Sequence, residues 1–370
     1  MRTPVNTTSA APELTLKPDF PTTAARFEAW WQREVIDRAP VTLSVQPRRP
    51  AHAPEAKHES LEDRWLDVAF QVDRIIAHLE RLEFPGDSFP VLMPNVGPEI
   101  TSTLLGAELE FGETTSWSLP IVREHEQWRD VAERSADFDN RYWRAVEDMT
   151  RLALERCNGR YLVGITDLHG NYDMLGGLRE PEMLCLDMVD CPELVDAAAR
   201  RAAEVYTQAF QRNDALLAEA GMGSTTWIPL YHGGSAYVPS CDFWCMLSGE
   251  HARDFVLPRI AEEMQPLERS IFHLDGPQAL RHLDMLLGLD DLDAIQWVYG
   301  AGAGPAAKWI DVYRRIRDAG KAMQVLAQTA DDAKAVLDAV GSRGVWLTIE
   351  TPFQTIDETN AFLNEVAKRT

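Results

Sequence analysis

The feature that most constrains the fold of this 370-residue chain is a regular alternation of short apolar runs with long amphipathic segments. Eight runs are rich in aliphatic and β-branched residues, as parallel strands covered on both faces are. They span residues 41–45, 89–93, 161–165, 225–230, 270–274, 294–298, 322–326 and 345–349. Strand and helix patterns that repeat without hairpin signals predict parallel strands, and eight units predict closure into one α/β domain, a (β/α)8 TIM barrel.

The remaining segments predict that the sheet is closed and what precedes it in the chain. The glycine-rich stretch 300–304 follows a strand but lacks the G-x-G-x-x-G spacing of an open dinucleotide-binding sheet, so the closed barrel is favoured. Helical patterns before residue 89 predict an N-terminal helical extension that caps the N-terminal side of the barrel. Residues 1–20 are mostly polar and rich in Thr and Pro, which predicts a disordered arm ahead of a barrel domain over residues 21–370.

Charge and cysteine usage exclude several classes of protein. The chain has 58 acidic and 36 basic residues and a net charge of −22, which argues against binding to nucleic acid. No segment approaches the roughly 18 apolar residues that a membrane span needs. The five cysteines form no C-x-x-C pair, which fits a reducing compartment. We therefore expect a cytoplasmic protein without nucleic-acid or membrane partners.

Barrels of this class carry their catalytic groups at the C-terminal ends of the strands. Polar and aromatic residues are frequent at or after the ends of the predicted strands, and we expect them to meet at the barrel mouth. The residues predicted to bind substrate are Asn95, Trp117, Tyr231, Gln296, Trp297 and Gln324, and those predicted to act in catalysis are Asp167, His169, His232 and Asp275. This concentration predicts an enzyme that acts on a small molecule.

His273 and Asp275 lie two residues apart at the end of the fifth predicted strand. Residues at this spacing point to the same side of a strand, so both side chains can face the barrel mouth. Imidazole and carboxylate form a donor set suited to zinc or another divalent ion, and Glu350 at the end of strand eight could be a third ligand. The alternative is an Asp that orients a neutral His through its ring N–H without a metal.

Two further histidines each allow two interpretations, one functional and one structural. Asp167 and His169 share the same two-residue spacing and could form an acid–base pair, or could anchor a loop through side-chain to backbone hydrogen bonds. His232 precedes Gly233 and Gly234, where the backbone can come close to a ligand. Its other interpretation is a histidine that stabilises a turn.

Four segments carry motifs that occur in the same order in a known superfamily. The motif SGEHARDFVLP at 248–258 is similar to its S-P-E-x-F-x-E-F-V-L-P segment, and the others are 95–108, 178–195 and 272–297. On these residues the chain resembles the uroporphyrinogen decarboxylase superfamily, which includes the zinc-dependent methylcobamide:coenzyme M methyltransferases. The resemblance covers about residues 85–369. It implies a barrel fold, a homodimer, and either decarboxylation or methyl transfer.

Departures from the superfamily patterns favour methyl transfer. The arginine-rich M-R-Q-A-G-R segment of the decarboxylases is absent, and Asn95 stands where they carry an Asp. The methyltransferases hold zinc with a H-x-C pair and a later Cys, and the corresponding positions here are His273, Asp275 and Glu350. Carboxylates in place of thiolates make a metal harder and more Lewis-acidic, which suits polarisation of an oxygen atom.

Three hypotheses for the function follow. The first is a metal-dependent methyl or other group transferase that uses Zn²⁺ or another divalent ion, with a corrinoid as co-substrate and a corrinoid protein as partner. The second is a metal-free decarboxylase or lyase that acts on a small carboxylated substrate. The third is a non-catalytic protein that binds a corrinoid or a tetrapyrrole.

Overall fold

The computed structural model describes residues 11–46 and 56–370. Parallel strands form a curled six-stranded sheet in the order β1-β10-β9-β8-β7-β6, and β2 pairs in parallel with β5. The strands are β1 (Val41–Thr42), β2 (Val91–Leu92), β3 (Leu109–Phe111), β4 (Ser116–Ser118), β5 (Leu162–Val163), β6 (Ala236–Tyr237), β7 (Arg269–Asp275), β8 (Ala294–Val298), β9 (Ala322–Ala327) and β10 (Val345–Ile349).

Helices cover the outside of this sheet. They are α1 (Phe20–Trp31), α2 (Leu61–Leu66), α3 (Val68–Leu79), α4 (Ile100–Thr103), α5 (Gln127–Glu133), α6 (Arg141–Cys157), α7 (Asn171–Arg179), α8 (Pro181–Asp190), α9 (Pro192–Glu219), α10 (Gly249–His251), α11 (Leu257–Met264), α12 (Leu283–Leu287), α13 (Ile310–Asp318), α14 (Ala330–Val340) and α15 (Ile356–Ala367). Short 3₁₀ turns occupy Phe243–Met246, Pro277–His282 and Ala306–Trp309, and a π-helical turn occupies Ala252–Val256. Among the described helices none is both long and apolar enough to cross a bilayer.

Hydrogen bonds outside the regular ladders continue the ring of strands. The backbone N–H of Asp87 donates to the carbonyl of Val41 at 2.7 Å and joins β1 to the segment before β2. The N–H of Ile165 donates to the carbonyl of Thr225 at 2.9 Å and joins the segment after β5 to the one before β6. The chain therefore has the predicted TIM-barrel-like α/β fold.

One predicted strand is wrong. Residues 225–230 form no regular strand, and the corresponding strand of the barrel is β6 at Ala236–Tyr237. The apolar side chains of Ile228 and Leu230 instead join a buried cluster at the N-terminal end of the barrel. Their burial against α1, and not a position in the sheet, explains the apolar run.

Helix α1 closes that N-terminal end, as predicted for the extension. Trp30 and Trp31 are fully buried there, among the first residues of strands β7, β8 and β9. The indole N–H of Trp30 donates to the carbonyl of Gly344 at 3.1 Å, and that of Trp31 to the carbonyl of Tyr231 at 2.9 Å. These bonds satisfy the polar atoms of two buried aromatic residues and fix the helix against the barrel.

The boundary of the predicted disordered arm needs a correction. Residues 1–10 lie outside the described residues, but residues 11–20 pack on the barrel. Leu14 and Phe20 are buried, and the ammonium group of Lys17 donates to the carbonyls of Phe84 and Gly86 at 2.9 and 2.8 Å. The buried contacts therefore begin before residue 21.

Candidate active site

A chain of side-chain hydrogen bonds crosses the barrel interior and ends on His273. Gln296 Oε1 accepts a hydrogen bond from His273 Nδ1, and Gln296 Nε2 donates to Gln324 Oε1 at 2.7 Å. Gln324 Nε2 donates to the hydroxyl of Thr348 at 2.9 Å, which lies 2.8 Å from the hydroxyl of Thr42. With the amides oriented in this way, Nδ1 of the neutral imidazole carries the proton and Nε2 keeps a free lone pair.

This relay follows from strand register. His273 on β7 is the register partner of Gln296 on β8, which in turn pairs with Gln324 on β9. Residues in register on adjacent parallel strands point to the same face, here the barrel interior. Trp227 supports the ring from another side, with its centroid 5.1 Å from that of His273 and nearly perpendicular to it. Gln296 and Gln324, predicted to bind substrate, have their amide groups in the relay and serve to orient His273.

Three possible metal ligands converge at the end of β7. Ligand atoms of Asp242, His273 and Asp275 all lie within 4.8 Å of one another. Asp242 lies in the loop after β6, where its backbone N–H donates to Asp173 Oδ2 at 2.9 Å. Partial desolvation and then the negative charge of Asp173 raise the pKa of Asp242 to about 6. The imidazole and the crowded carboxylates together form a candidate divalent-metal site.

His169 lies beside this group and is surrounded by carboxylates. Its Nε2 is 3.7 Å from Asp167 Oδ1, so the two side chains lie close enough for an ion pair, and their role as an acid–base pair stays a prediction. Burial lowers the pKa of His169, but Asp167, Asp173 and further acidic neighbours outweigh it, and the net pKa is raised. Burial also raises the pKa of Asp167, against the opposing effects of His169 and His273. At 3.7 Å the two groups form an ion pair without a hydrogen bond, in an environment able to support acid–base chemistry.

A cavity of about 440 Å³ opens next to His169. Trp117 forms part of its wall, as predicted, and lies on the exposed face of β4 with 42% of its surface accessible. The full lining consists of Glu99, Trp117, Ser118, Pro120, His169, Asp173, Gly176, Gly177, Glu180, Pro181, Asp242, Phe243 and Met246. The volume is in the range of pockets that bind small molecules.

A buried carboxyl group supports the loop that carries His169. Glu263 is completely buried, its Oε2 accepts a hydrogen bond from Asn171 Nδ2 at 2.8 Å, and its Oε1 has no hydrogen-bond partner in the structure. A side chain at Gly170 would place its Cβ 2.0 Å from Glu263 Oε1, so this position requires glycine for steric reasons. Asn171 at φ 38° begins α7 directly after this contact.

Two residues predicted for the mouth lie at the opposite end of the barrel. Nδ1 of His232 is 3.0 Å from the carboxylate oxygens of Glu28 on α1, and its Nε2 is 3.3 Å from Glu268 Oε2, just before β7 begins. Tyr231 is buried in the cluster beneath α1, 5.0 Å from the ring of Phe20. The predictions of a catalytic His232 and a substrate-binding Tyr231 are therefore wrong, because both residues precede β6 and lie away from the barrel mouth.

Three further predicted residues take other places. Trp297 is fully buried in the core against Trp309, with ring centroids 5.3 Å apart, so it does not line the cavity. Glu350 is exposed and is not in the group with His273 and Asp275, so the predicted ligand set needs a correction in which Asp242 takes its place. Asn95 Oδ1 accepts a hydrogen bond from the N–H of Gly97 at 2.7 Å, which makes it a turn residue outside the cavity lining.

Sequence reasoning missed the carboxylates of Asp242, Asp173 and Glu99. Asp242 was missed because the fourth strand was misplaced: after β6 the chain still pairs with β7 at Ser240, which puts Asp242 directly at the mouth. The short apolar run of Ala236, Tyr237 and Val238 was the signal that could have located it. Asp173 and Glu99 reach the cavity from helix α7 and the turn before α4, and no spacing in the sequence connects them.

The fold is similar to two solved structures. A methyltransferase from Methanosarcina mazei matches with a TM-score of 0.57 at 13% identity, over 94% of this chain and 98% of that one. A B12-independent methionine synthase from a Shewanella species, in complex with selenomethionine, matches with a TM-score of 0.42 at 11% identity, over 89% and 96%. No protein-family model and no curated protein matched the chain. The first of these likenesses confirms the resemblance seen in the sequence at the level of the fold.

Proposed function

We propose that this protein is a metal-dependent methyltransferase in which Asp242, His273 and Asp275 hold a divalent ion. The observation that carries the proposal is the convergence of one imidazole and two carboxylates within 4.8 Å at the mouth of the barrel. The reaction class comes from the superfamily resemblance and from the description of the Methanosarcina structure. A corrinoid co-substrate and a corrinoid protein partner stay predictions, as does the homodimer.

The charges of the three side chains fit a divalent cation. Among the described residues, no Lys or Arg forms an ion pair with Asp242 or Asp275. The raised pKa of Asp242 results from desolvation and from carboxylate neighbours, which include Asp173 and Asp275. A cation between these groups would relieve that repulsion and favour the ionised carboxylates.

The orientation of His273 also fits metal binding. Histidines that ligate metals commonly donate their other ring N–H to an oxygen acceptor, which fixes the tautomer and the ring plane. Gln296 Oε1 provides that acceptor here, and Gln324 holds the Gln296 amide in turn. When bound, a divalent ion would supply Lewis acidity toward an oxygen or sulfur atom of a substrate.

His169 and Asp167 would handle the proton that such a transfer moves. His169 faces the cavity, and its raised pKa keeps the ring protonated at a higher pH than usual. The imidazolium can therefore donate a hydrogen bond to a substrate atom in the cavity, and Asp167, 3.7 Å away with its own pKa raised, can accept the proton that a thiol acceptor loses when it gains the methyl group. The walls of the cavity would position the substrate and limit its contact with water.

Metal analysis of the purified protein tests the ligand assignment. We expect about one divalent ion per chain, lost in His273→Ala and weakened by at least tenfold in Asp242→Asn. Glu350→Gln is the matched control, because it neutralises another strand-end carboxylate outside the group. Wild-type protein without stoichiometric metal after incubation with zinc, or equal loss in the Glu350→Gln variant, would contradict the proposal.

Methyl transfer itself is tested with methylcobalamin as donor and a simple thiol as acceptor, followed by the absorbance change on loss of the methyl group. We expect turnover in the metal-loaded protein and its loss after chelation and in His273→Ala. His169→Asn, which keeps a polar side chain without a titratable ring, should retain metal but lose most of the activity. Turnover that persists without metal would refute the assigned role of the metal.

One observation favours a second candidate, a metal-free lyase or decarboxylase. With a pKa of about 6, Asp242 can be a proton donor near neutral pH beside His169. Of the described residues that line the cavity, however, none is Lys or Arg and four are carboxylates, so a carboxylated substrate would meet only His169 as an opposite charge. Release of carbon dioxide that is insensitive to chelator would favour this candidate over the first.

A further inference from the structure

We infer that the cavity beside His169 binds the cationic end of its substrate, an alkylated ammonium group, against Trp117 and Phe243, with Glu99 and Asp173 as the opposite charges. The inference rests on the proposed function only for the reaction, in which the ammonium ion would be the methyl donor: the C–N bond breaks, nitrogen keeps the electron pair and leaves as the neutral amine, and a nucleophilic acceptor such as a corrinoid takes the methyl group. The binding step is separate from the metal and can be measured without turnover.

The wall of the cavity is rich in carboxylates. Four of its described lining residues are carboxylates, at positions 99, 173, 180 and 242, and none is Lys or Arg. Glu180 lies 3.8 Å from Arg123 and Asp242 belongs to the group at His273, so Glu99 and Asp173 are the two carboxylates left for a ligand, against the single charge of His169. Glu99 Oε2 accepts hydrogen bonds from the backbone N–H of Ser118 at 2.6 Å and from its hydroxyl group. Asp173 accepts the backbone N–H groups of Asp242 and Phe243. Because these donors are neutral, they orient the two carboxylates without cancelling their charges.

The position of Glu99 is built into the fold. The helix α7 approaches it at Gly177, where a Cβ atom would lie 2.5 Å from the hydroxyl of Ser118 and 3.1 Å from Glu99 Oε2. A side chain at position 177 would therefore displace the hydrogen-bonded pair of Glu99 and Ser118. The absence of a side chain lets the carboxylate stay ordered at the cavity wall, where a ligand can meet it without reorganisation.

Two aromatic side chains, Trp117 and Phe243, also line the cavity. The ring of Trp117 is accessible to solvent and packs over Gly112, where a Cβ would lie 3.2 Å from Trp117 Cζ3. Phe243 is held nearly parallel to Tyr172 with centroids 6.1 Å apart. Aromatic faces attract organic cations, and the attraction grows when the site is shielded from water. Two ordered rings next to two ordered carboxylates thus form a wall suited to such a cation.

The combination of carboxylates and apolar side chains in the cavity wall indicates an ammonium group that carries alkyl substituents, and not a primary ammonium group. A primary ammonium group needs three hydrogen-bond acceptors around it. The lining also includes the apolar side chains of Trp117, Met246 and Pro181, which offer no such acceptors. Methyl groups on nitrogen carry part of the positive charge and also pack against apolar surface, so a tertiary or quaternary ammonium satisfies both kinds of wall. A volume of about 440 Å³ holds such a group with a short substituent.

Calorimetric titration of the purified protein tests this inference, with choline, tetramethylammonium and the neutral carbon isostere of choline, dimethylbutanol. We expect a cation to bind at least about tenfold more tightly than the neutral isostere. Trp117→Leu and Glu99→Gln should each weaken binding about tenfold, and Trp117→Phe should retain most of it. Leu119→Ala, on the same hairpin, and Glu124→Gln, on the exposed turn before α5, are controls that should leave binding unchanged.

The outcomes separate this inference from the proposed function. Equal affinity for choline and its neutral isostere, or binding of neither cation at tens of millimolar, would overturn the inference even if the protein holds its metal. Selective binding of the cations by protein that takes up no metal would support the inference and refute the metal-dependent mechanism. Thermal unfolding of each variant, expected to be close to wild type, excludes misfolding as the reason for weaker binding.

Discussion

His273 and Gln296 are register partners on two adjacent parallel strands, and the side-chain oxygen of Gln296 accepts the hydrogen bond of His273 Nδ1. The glutamine is itself held by Gln324, so the orientation of the imidazole is set two strands away from the ring. The barrel thus presents one nitrogen of His273 to the mouth and uses the other for alignment.

Replacement of Gln296 by Met should weaken metal binding without removing a ligand. The methionine fills a similar volume but cannot accept the N–H of His273, so the ring loses its fixed tautomer and plane. We expect about a 10- to 100-fold loss of metal affinity, measured by competition with a coloured chelator. Gln328→Met, at an amide outside the relay, is the control. Unchanged affinity in the Gln296 variant would mean that Gln296 does not orient the ligand.

Replacement of Gly170 by Ala should displace the loop that carries His169. The backbone at Gly170 is extended, so the effect is steric: the new Cβ would lie 2.0 Å from Glu263 Oε1 and 2.8 Å from the ring of Tyr206. We expect a loss of at least about 2 kcal/mol in the free energy of unfolding and a large loss of activity. Gly249→Ala is the control, because a Cβ at that position would have nothing within 4 Å of it. Equal stability of the two variants in urea would disprove the assigned crowding.

Removal of His232 should affect stability and leave the mouth of the barrel intact. Burial alone would raise the pKa of Glu28, but hydrogen bonds from His232 and from the N–H of Gly233 outweigh it and lower the pKa. A lowered carboxyl pKa contributes stability that is present above the ordinary pKa of about 4.5 and is lost as the pH falls through the folded value. We therefore expect His232→Ala to be less stable at neutral pH, with a smaller difference in acid. Its metal content and activity should equal those of wild type, and a selective loss of activity would restore the catalytic interpretation.

The strands of the second half of the barrel were predictable because they are buried on both faces. The apolar runs at 294–298 and 345–349 coincide with β8 and β10, the run at 270–274 is one residue shorter than β7 at each end, and the run at 322–326 is one residue shorter than β9 at its C-terminal end. Continuous β-branched and aliphatic sequence is the direct consequence of helices on one side and barrel interior on the other. Here local pattern and tertiary environment agree.

The first half was harder to predict because its apolar residues serve a second core. Ile228 and Leu230 pack under α1, and only the two residues of β6 hold the position of the fourth barrel strand. Because the fourth strand was predicted at 225–230, His232 was expected at the active site and Asp242 was not. The pairing of Gln296 with Trp297 as substrate-binding residues could have been excluded from the sequence, because neighbouring residues on a strand point to opposite faces.

The stability of the protein should fall as the pH rises, in part because of Glu263. Its carboxyl group is completely buried, and desolvation raises its pKa well above 4.5, against the opposing hydrogen bond from Asn171. A raised carboxyl pKa contributes stability that is fully present below the ordinary pKa and is lost as the pH rises through the folded value, because the unfolded chain ionises first. In Glu263→Gln the group cannot ionise, so the free energy of unfolding should exceed that of wild type by at least about 1 kcal/mol at pH 8 and approach it near pH 4. Urea titrations across this range measure the difference, and Glu219→Gln, at an exposed carboxyl group at the end of α9, is the control. Parallel pH profiles for wild type and Glu263→Gln would contradict the raised pKa, because they would mean that Glu263 ionises over the same pH range in the folded and the unfolded protein.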